Sequence, residues 1–249
     1  MPTPPPLSPH PETTRRIVLL WIGRLGDLLV TTPLLGALRA RFPQARIALV
    51  VGSKGREAAE LIQSVDDIWT LGAACDLMAH GRLLRNLRVE PADLLIDLNS
   101  AYSKTSAFLA RLARARVKLA FDTGRGIRAH THLLPAAGER EPMAERYARM
   151  ARALGAEIKD STPRVNIRGQ DLELARDLLR RLAAPARNPV GTARARERWL
   201  AIHPGNFKKF DNRWPEANFI ELTDRLAAAT DSAREPGFPG WRIVYLAGP

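Results

Sequence analysis

Two glycines and an aspartate stand close together near the start of the chain, at Gly23, Gly26 and Asp27. An apolar run precedes them from residue 16, and its Ile, Val and Leu content is typical of a strand buried on both faces. Glycines that follow such a strand let backbone N–H groups approach a ligand, because no Cβ stands in the way. The three residues are therefore the first candidates for ligand chemistry.

Asp27 has two interpretations at this position. A helix is predicted to begin near Asp27, or near Pro33 with Thr32 as its cap. Strand, glycine turn and helix form the first half of a βαβ unit, and ligands of open α/β sheets bind at the carboxyl ends of the strands. The carboxylate is then either a helix cap or a group that faces the ligand crevice. The Gly-x-x-Gly spacing is shorter than a dinucleotide fingerprint, which argues against a Rossmann cofactor site.

A basic cluster follows a second strand far along the chain. The turn contains Gly205 and Asn206, and Lys208, Lys209 and Arg213 come directly after it. A glycine turn beside a helix N-terminus, with three cationic side chains near it, can bind an anion. The alternative is a solvated basic loop with a proline at the start of the next helix.

A third set of polar residues follows the apolar run 92–98. Asn99 and Ser100 come at the carboxyl end of that predicted strand, so they are expected to face the same crevice as Asp27. Lys104 comes four residues later and could contact an acidic ligand. The alternative for Lys104 is a solvated residue in the first turn of a helix.

Strands and helices alternate along the first two thirds of the chain, which predicts a parallel sheet covered on both faces. The strands after the opening one are predicted at 46–51, 67–71, 92–98, 117–121 and 165–167, and the helices at 34–41, 56–63, 77–87, 106–115, 141–154 and 171–182. The last helix is expected to direct Leu172, Leu174, Leu178 and Leu179 inward.

Composition shifts divide the chain into four parts. Residues 1–14 are rich in proline and predict a disordered tail. Residues 15–184 form the predicted Rossmann-like domain, and 185–197, with two prolines and no periodicity, predict a linker. Residues 198–249 supply strand, helix and strand, which predicts the incomplete beginning of a second Rossmann-like domain, since so few strands cannot cover their own apolar faces. Alternatively, these strands extend the first sheet.

The chain is strongly basic, with a net charge of +12 and a pI of about 10.9. Only six of its 38 basic residues are lysine, so part of the arginine content can reflect a GC-rich genome. A basic surface suits an anionic membrane or a phosphorylated substrate. No zinc-finger or RNA-recognition signature and no tract of basic and aromatic residues occurs, so nucleic acid is the least favoured partner.

The cysteine count and the hydropathy of the chain restrict the class of protein and its location. Cys75 is the only cysteine, which excludes an internal disulfide and offers no zinc site. The first eleven residues hold six prolines and no apolar core of a signal peptide. No uncharged apolar run approaches the ~18 residues of a membrane span. The sequence predicts a protein that is cytoplasmic or peripheral to a membrane.

Three segments resemble the lipopolysaccharide heptosyltransferases, glycosyltransferase family 9. They are residues 23–35 (GRLGDLLVTTPLL), residues 94–107 (LLIDLNSAYSKTSA) and residues 201–215 (AIHPGNFKKFDNRWP). The resemblance implies a GT-B fold of two Rossmann-like domains. It also implies an inverting transferase that moves heptose from ADP-heptose to the lipopolysaccharide inner core, at the inner face of the inner membrane.

The same resemblance assigns roles to the candidate residues. Asp27 matches the family's proposed catalytic base. The acceptor is implied to be a lipid-linked acidic sugar. The residues implied to bind it are the substrate-binding set Gly23, Gly26, Asn99, Ser100 and Lys104. The residues implied to bind the diphosphate of the donor are the donor-binding set Gly205, Asn206, Lys208, Lys209 and Arg213. No metal and no cofactor besides the nucleotide sugar is expected, because no pair of close carboxylates is evident.

The sequence departs from the family pattern in two places. Asn212 stands where the family often has a lysine before Arg-Trp-Pro, so Lys208 or Lys209 would have to supply that charge. The family also carries an Asp-x-Gly run and a nearby histidine in its C-terminal domain, which hold the donor, and residues 198–249 do not reach them. The alternative function is therefore a non-catalytic fragment of the same fold that binds a sugar or a nucleotide, and a nucleic-acid binder is a third hypothesis based on charge alone.

Overall fold

The computed structural model describes residue 7 and residues 9–73, 76–125, 127–183, 198–204, 214–232 and 241–246. Two compact units divide the chain, Met1–Leu179 and Arg180–Pro249. The predicted linker at 185–197 lies outside the described residues, so the predicted domain bounds stay a prediction. Within the predicted tail, Leu7 packs against the core of the first unit and Thr14 is buried.

The first unit alternates strands and helices as the periodicity predicts. In chain order its elements are β1 (Arg16–Trp21), α1 (Leu25–Val30), α2 (Thr32–Arg41), β2 (Arg46–Gly52), α3 (Arg56–Ala59), β3 (Asp67–Leu71), α4 (Leu77–Val89), β4 (Ala92–Asp97), α5 (Lys104–Leu112), β5 (Ala115–Phe121), β6 (His132–Leu134), α6 (Met143–Ala153) and α7 (Gly169–Ala183). Short 3-10 turns lie at Ser53–Gly55 and Ile127–Ala129.

All six strands of this unit pair in parallel, in the order β3-β2-β1-β4-β5-β6. The central strand, β1, has Ile17 opposite Ile47 on one side and opposite Leu94 on the other. Ile17, Leu19 and Leu20 have no exposed surface. A strand with neighbours on both sides and helices on both faces has no position that tolerates a polar residue, which explains its continuous apolar run.

Successive residues of β1 serve two different cores, because side chains of a strand alternate between the faces of the sheet. One face packs against α2, α3 and α6, and the other packs against α4 and α5. The first core includes Ile17, Leu19, Leu34, Leu38, Ala59, Tyr147 and Met150. The second includes Val18, Leu20, Leu83, Leu87, Leu95, Leu109 and Ala110.

The second unit contains one strand–helix–strand segment among the described residues. Its elements are β7 (Arg198–Ile202), α8 (Glu216–Ser232) and β8 (Trp241–Tyr245). The two strands pair in parallel in a sheet of their own, with Trp199 opposite Arg242. The alternative interpretation, in which these strands extend the first sheet, is therefore wrong. The arrangement is that of a βαβ unit, as the predicted second Rossmann-like domain requires.

Two local predictions are wrong. Residues 165–167 do not form a strand, although the backbone N–H of Asn166 donates to the Leu61 carbonyl. The leucines of α7 that were expected to face inward are exposed, and Leu174 has 68% of its surface accessible. Helical spacing identifies an apolar face, but it does not supply a surface to cover that face. In the part of the chain that the structure describes, no helix combines the length and the hydropathy of a membrane span.

Candidate active site

The strand order creates a crevice at one place in the sheet, between the carboxyl ends of β1 and β4. The helices that follow β1 cover one face, and α5, which follows β4, covers the other. Leu20 lies opposite Asp97 in the register of the two strands, so the loops after Trp21 and after Asp97 leave the sheet side by side. In open α/β sheets this reversal of direction is where ligands bind.

The glycine turn after β1 is shaped by the tryptophan that ends the strand. Trp21 is 6% exposed, and its indole Nε1 donates to the Arg24 carbonyl at 3.3 Å. A Cβ at Gly23 would lie 2.8 Å from ring carbon Cζ2 of Trp21, whereas a Cβ at Gly26 would have nothing within 4 Å. Gly23 therefore has a packing role within the chain. Gly26 leaves open space beside the first turn of α1.

Asp27 lies in that first turn and is not the helix cap. Arg24 is the N-cap residue of α1, and no side-chain hydrogen bond caps the helix. Thr32 is not a cap either, because Thr31 holds that position for α2, and the hydroxyl of Thr32 donates back to the Leu29 carbonyl. Among the described residues, the half-buried carboxylate of Asp27 has no hydrogen-bond or ion-pair partner.

Tyr147 of α6 is hydrogen-bonded at the end of β4 and lies close enough to Asp27 to be affected by its charge. Its side chain is 1% exposed, and its hydroxyl donates to the Leu98 carbonyl at 3.3 Å. Burial raises the pKa of Tyr147 well above its usual range, and the nearby negative charges of Asp27 and Asp97 raise it further. The phenol therefore stays protonated and acts as a fixed donor beneath the crevice.

Asn99 is held in one orientation at the end of β4. Its Nδ2 donates to Oδ1 of Asp97 at 2.8 Å and to Oγ of Ser106 at 3.2 Å, and its backbone N–H donates to the same Asp97 oxygen at 3.1 Å. An ionised carboxylate only accepts hydrogen bonds, so the amide nitrogen of Asn99 must face Asp97. The carboxamide oxygen is then left to accept a hydrogen bond from a ligand hydroxyl.

Ser100, the next residue, brings a guanidinium into the crevice. Arg146 Nη1 donates to Oγ of Ser100 at 3.0 Å, and the other nitrogens donate to the carbonyls of Glu141 and Gly138 at 3.0 and 3.2 Å. All three acceptors are neutral, so Arg146 is positioned without an ion pair among the described residues. Arg149, one turn further along α6, is instead paired with the Glu141 carboxylate.

Lys104 is the first residue of α5 and is exposed. The helix is capped by Ser103, whose hydroxyl accepts from the backbone N–H of Ser106 at 3.2 Å. This position agrees with the solvated first-turn interpretation, and it also leaves the ammonium group accessible to a large acidic ligand.

A buried acid–imidazole pair, which no short-range sequence pattern predicts, adjoins Asn99. His130 Nε2 lies 3.4 Å from Oδ2 of Asp97, and both side chains are less than 9% exposed. Asp97 ends β4 while His130 follows a turn after β5, so only the pairing of these strands brings them together. Arg146 and Tyr147 were missed for the same reason, although the buried spacing of Tyr147, Met150, Ala151 and Leu154 marks the inward stripe of α6.

No group of three or more potential metal ligands occurs among the described residues. All five residues of the predicted donor-binding set, Gly205, Asn206, Lys208, Lys209 and Arg213, lie outside the described residues. The described part of the site is therefore the crevice of the first unit, with Asp27, Gly23, Gly26, Asn99 and Ser100 at its edge.

Solved structures with the same fold are those of bacterial glycosyltransferases. The glycosyl transferase family 9 structure from Veillonella parvula DSM 2008 matches with a TM-score of 0.74 and 17% identity over 99% of this chain and 64% of that chain. Escherichia coli heptosyltransferase WaaC, solved with ADP, matches with a TM-score of 0.62 and 19% identity over 94% of this chain and 67% of that chain. E. coli ADP-heptose lps heptosyltransferase II matches with a TM-score of 0.62 and 16% identity over 92% of this chain and 63% of that chain.

The chain thus spans about two thirds of the length of these solved structures. WaaC has also been solved with ADP-2-deoxy-2-fluoro heptose. Among curated proteins, none matches this chain significantly. A family model matches residues 80–230, which is more than half of the sequence, and it is the model of glycosyltransferase family 9 (heptosyltransferase). The chain belongs to glycosyltransferase family 9.

Proposed function

We propose that this chain is an inverting glycosyltransferase that transfers heptose from ADP-heptose to the inner core of lipopolysaccharide. The observation that carries the proposal is the carboxylate of Asp27, which is half-buried at the reversal point of the sheet and has no partner among the described residues. A carboxylate held in a crevice without a cation or a capping role is available to accept a proton from a ligand.

The reaction needs one bond to form and one to break. The acceptor hydroxyl oxygen attacks the anomeric carbon of the heptose, its proton passes to Asp27, and the bond from that carbon to the diphosphate breaks, which releases ADP. Attack on the face opposite the leaving group inverts the anomeric configuration. Lys208, Lys209 and Arg213 would offset the charge that develops on the diphosphate, so that no metal ion is required.

The acceptor side of the crevice suits a polyhydroxylated and acidic molecule. The carboxamide oxygen of Asn99 is oriented to accept from a sugar hydroxyl. Arg146, held by neutral acceptors beside Ser100, offers a positive charge to a carboxylate or phosphate. The open space at Gly26 admits such a molecule close to Asp27. A lipid-linked acidic sugar at the cytoplasmic face of the inner membrane fits these features.

Replacing Asp27 with asparagine tests the assignment. Asn keeps the size of the side chain but cannot take the proton, so turnover measured as ADP release should fall about 10²–10⁴-fold. Stability should not change, because Asp27 caps no helix. An Asp27→Asn protein with wild-type turnover would exclude the catalytic role, and absence of ADP release by the intact wild-type enzyme would overturn the proposed activity.

Asp76 provides a matched control, because it is also an aspartate at the start of a helix. Its Oδ1 accepts from the backbone N–H of Ala79 at 2.9 Å, so it is the cap of α4. Asp76→Ala should cost roughly 1 kcal/mol of stability and leave turnover intact. Asp27→Ala should instead lower turnover and leave stability unchanged. Titration of ADP into both proteins separates loss of donor binding from loss of the proton acceptor.

A further inference from the structure

The exposed charged residues within α4 and α5 are all basic, and the exposed acidic residues that adjoin α4 are its two caps, Asp76 and Glu90. Neither helix contains Asp or Glu in its sequence, and both pack on the same face of the sheet. Their exposed residues include five cations and three large apolar side chains. This set, named here the α4–α5 surface, consists of Leu77, Met78, Arg82, Arg85, Arg88, Lys104, Phe108 and Arg111.

The cations of this surface differ from several arginines on the opposite face of the sheet. Across the described residues, none of the five has a carboxylate within ion-pair distance. On the other face, Arg39 pairs with Asp66, and Arg152 of α6 pairs with Glu145. The five unpaired cations of α4 and α5 therefore lie together on one side of the sheet.

The apolar residues of the surface are not part of the core. Leu77 and Met78 have 79% and 77% of their surface accessible, and Phe108 has 59%. Helical geometry separates them from the inward side, because Leu83 and Leu87 of α4 are the residues that pack on the sheet. Large apolar side chains at such exposure lower the free energy when they leave water.

The apolar end of α4 lies at the edge of the sheet that holds the crevice. Leu77 and Met78 begin the helix that follows β3, and β3 runs parallel to β1 and β4. The carboxyl ends of parallel strands meet at one edge of the sheet, so this end of α4 and Asp27 share that edge. A flat partner that contacts Leu77 and Met78 would therefore stand near the opening of the crevice.

We infer that the α4–α5 surface docks on an anionic lipid bilayer. Exposed arginines and lysine bind the headgroup phosphates, while Leu77, Met78 and Phe108 enter the boundary between headgroups and acyl chains. A bilayer satisfies both parts of the surface. Single-stranded nucleic acid would satisfy the cations, but its bases stack on aromatic rings, and only Phe108 of the three apolar residues provides one. Apart from Lys104, the surface lies outside the crevice, so docking does not depend on the proposed transfer reaction.

Sedimentation with lipid vesicles tests the inference without any assay of turnover. The chain should bind phosphatidylcholine vesicles that contain phosphatidylglycerol, and binding should weaken as salt is added. Replacing Arg82 and Arg88 with serine should lower the partition coefficient about 30-fold. Replacing Leu77 and Met78 with serine should lower it on the order of 10-fold, with little change in its dependence on salt.

A matched pair on the other face provides the control. Arg152 and Arg164 are exposed, and each is paired with a carboxylate on the side of the sheet that holds α2 and α6. Replacing both with serine changes the net charge by the same amount and should leave vesicle binding unchanged. Equal loss in both double variants, or equal binding to vesicles with and without phosphatidylglycerol, would overturn the inference. Binding to duplex DNA in the absence of vesicle binding would also overturn it and identify a nucleic-acid surface.

Discussion

Gly23 and Gly26 lie in one short turn, but the chain needs them for different reasons. A side chain at residue 23 would meet the ring of Trp21, whereas a side chain at residue 26 would enter open space. We expect Gly23→Ala to destabilise the fold by about 1–3 kcal/mol, because the ring or the turn must move. Gly26→Ala should stabilise α1 by up to ~1 kcal/mol, because alanine favours the helix. Urea denaturation measures both.

The activity of the two variants then separates packing from ligand approach. Gly26→Ala should lose turnover despite its higher stability if the acceptor passes close to this backbone. The affinity for ADP provides the control, since Gly26 belongs to the acceptor side of the proposed site. Unchanged turnover in Gly26→Ala would show that the open space at this position is not used by the substrate.

Sequence rules located part of the crevice, because strand ends are local features. The positions of Asp27, Asn99 and Ser100 follow from apolar runs and from the rule that parallel strands end at one edge. The partners of these residues could not be predicted. Arg146 reaches Ser100, and Tyr147 reaches Leu98, through the packing of α6 on the sheet. No short-range pattern in the sequence encodes that packing.

At the scale of elements, the segment that leads into α6 is held by one ion pair. Glu141 accepts two hydrogen bonds from Arg149, at 2.7 and 3.0 Å, and these hold the pKa of Glu141 below its usual range. Its folded-state pKa is lower than its unfolded value, so its contribution to stability is present above the unfolded pKa and is lost as the pH falls through the folded pKa.

Glu141→Gln should therefore destabilise the chain at neutral pH. The difference from wild type should shrink as the pH falls below about 4.5, the usual pKa of a glutamate, because the wild-type carboxylate becomes protonated there. Urea midpoints across this range measure the effect. Glu145→Gln on the same helix is the comparison, because its pair with Arg152 is more exposed and should contribute less. A constant difference at every pH would contradict the assignment.

Elements differed from the sequence predictions where tertiary contacts decide the outcome. The short strand β6 was not predicted, since its three residues carry no detectable period. Residues 165–167 (Val-Asn-Ile) pair with no neighbouring strand and are irregular. The long strands β1, β2 and β4 were predicted correctly, because burial on both faces leaves a continuous run of Ile, Val and Leu.

At the scale of the whole molecule, we expect the two halves to separate under limited proteolysis. The composition of residues 185–197, with two prolines and no hydrophobic period, predicts a linker. Trypsin should cut first at its arginines and release fragments that mass spectrometry can assign. Earlier cleavage within residues 100–120, which form α5 and most of β5, would contradict the predicted domain bounds.

The central position of β1 has a consequence for the order of events during folding. Ile17 pairs with Ile47 after a short segment has closed, but it pairs with Leu94 only after the chain has also formed β2, β3 and the helices between them. Pairing across such a separation is slow, because the entropy of closing the loop must be lost first. We therefore expect the crevice to form late in folding. On the ribosome, Asp27 emerges long before Tyr147, so a nascent chain has its proposed catalytic carboxylate before it has a pocket.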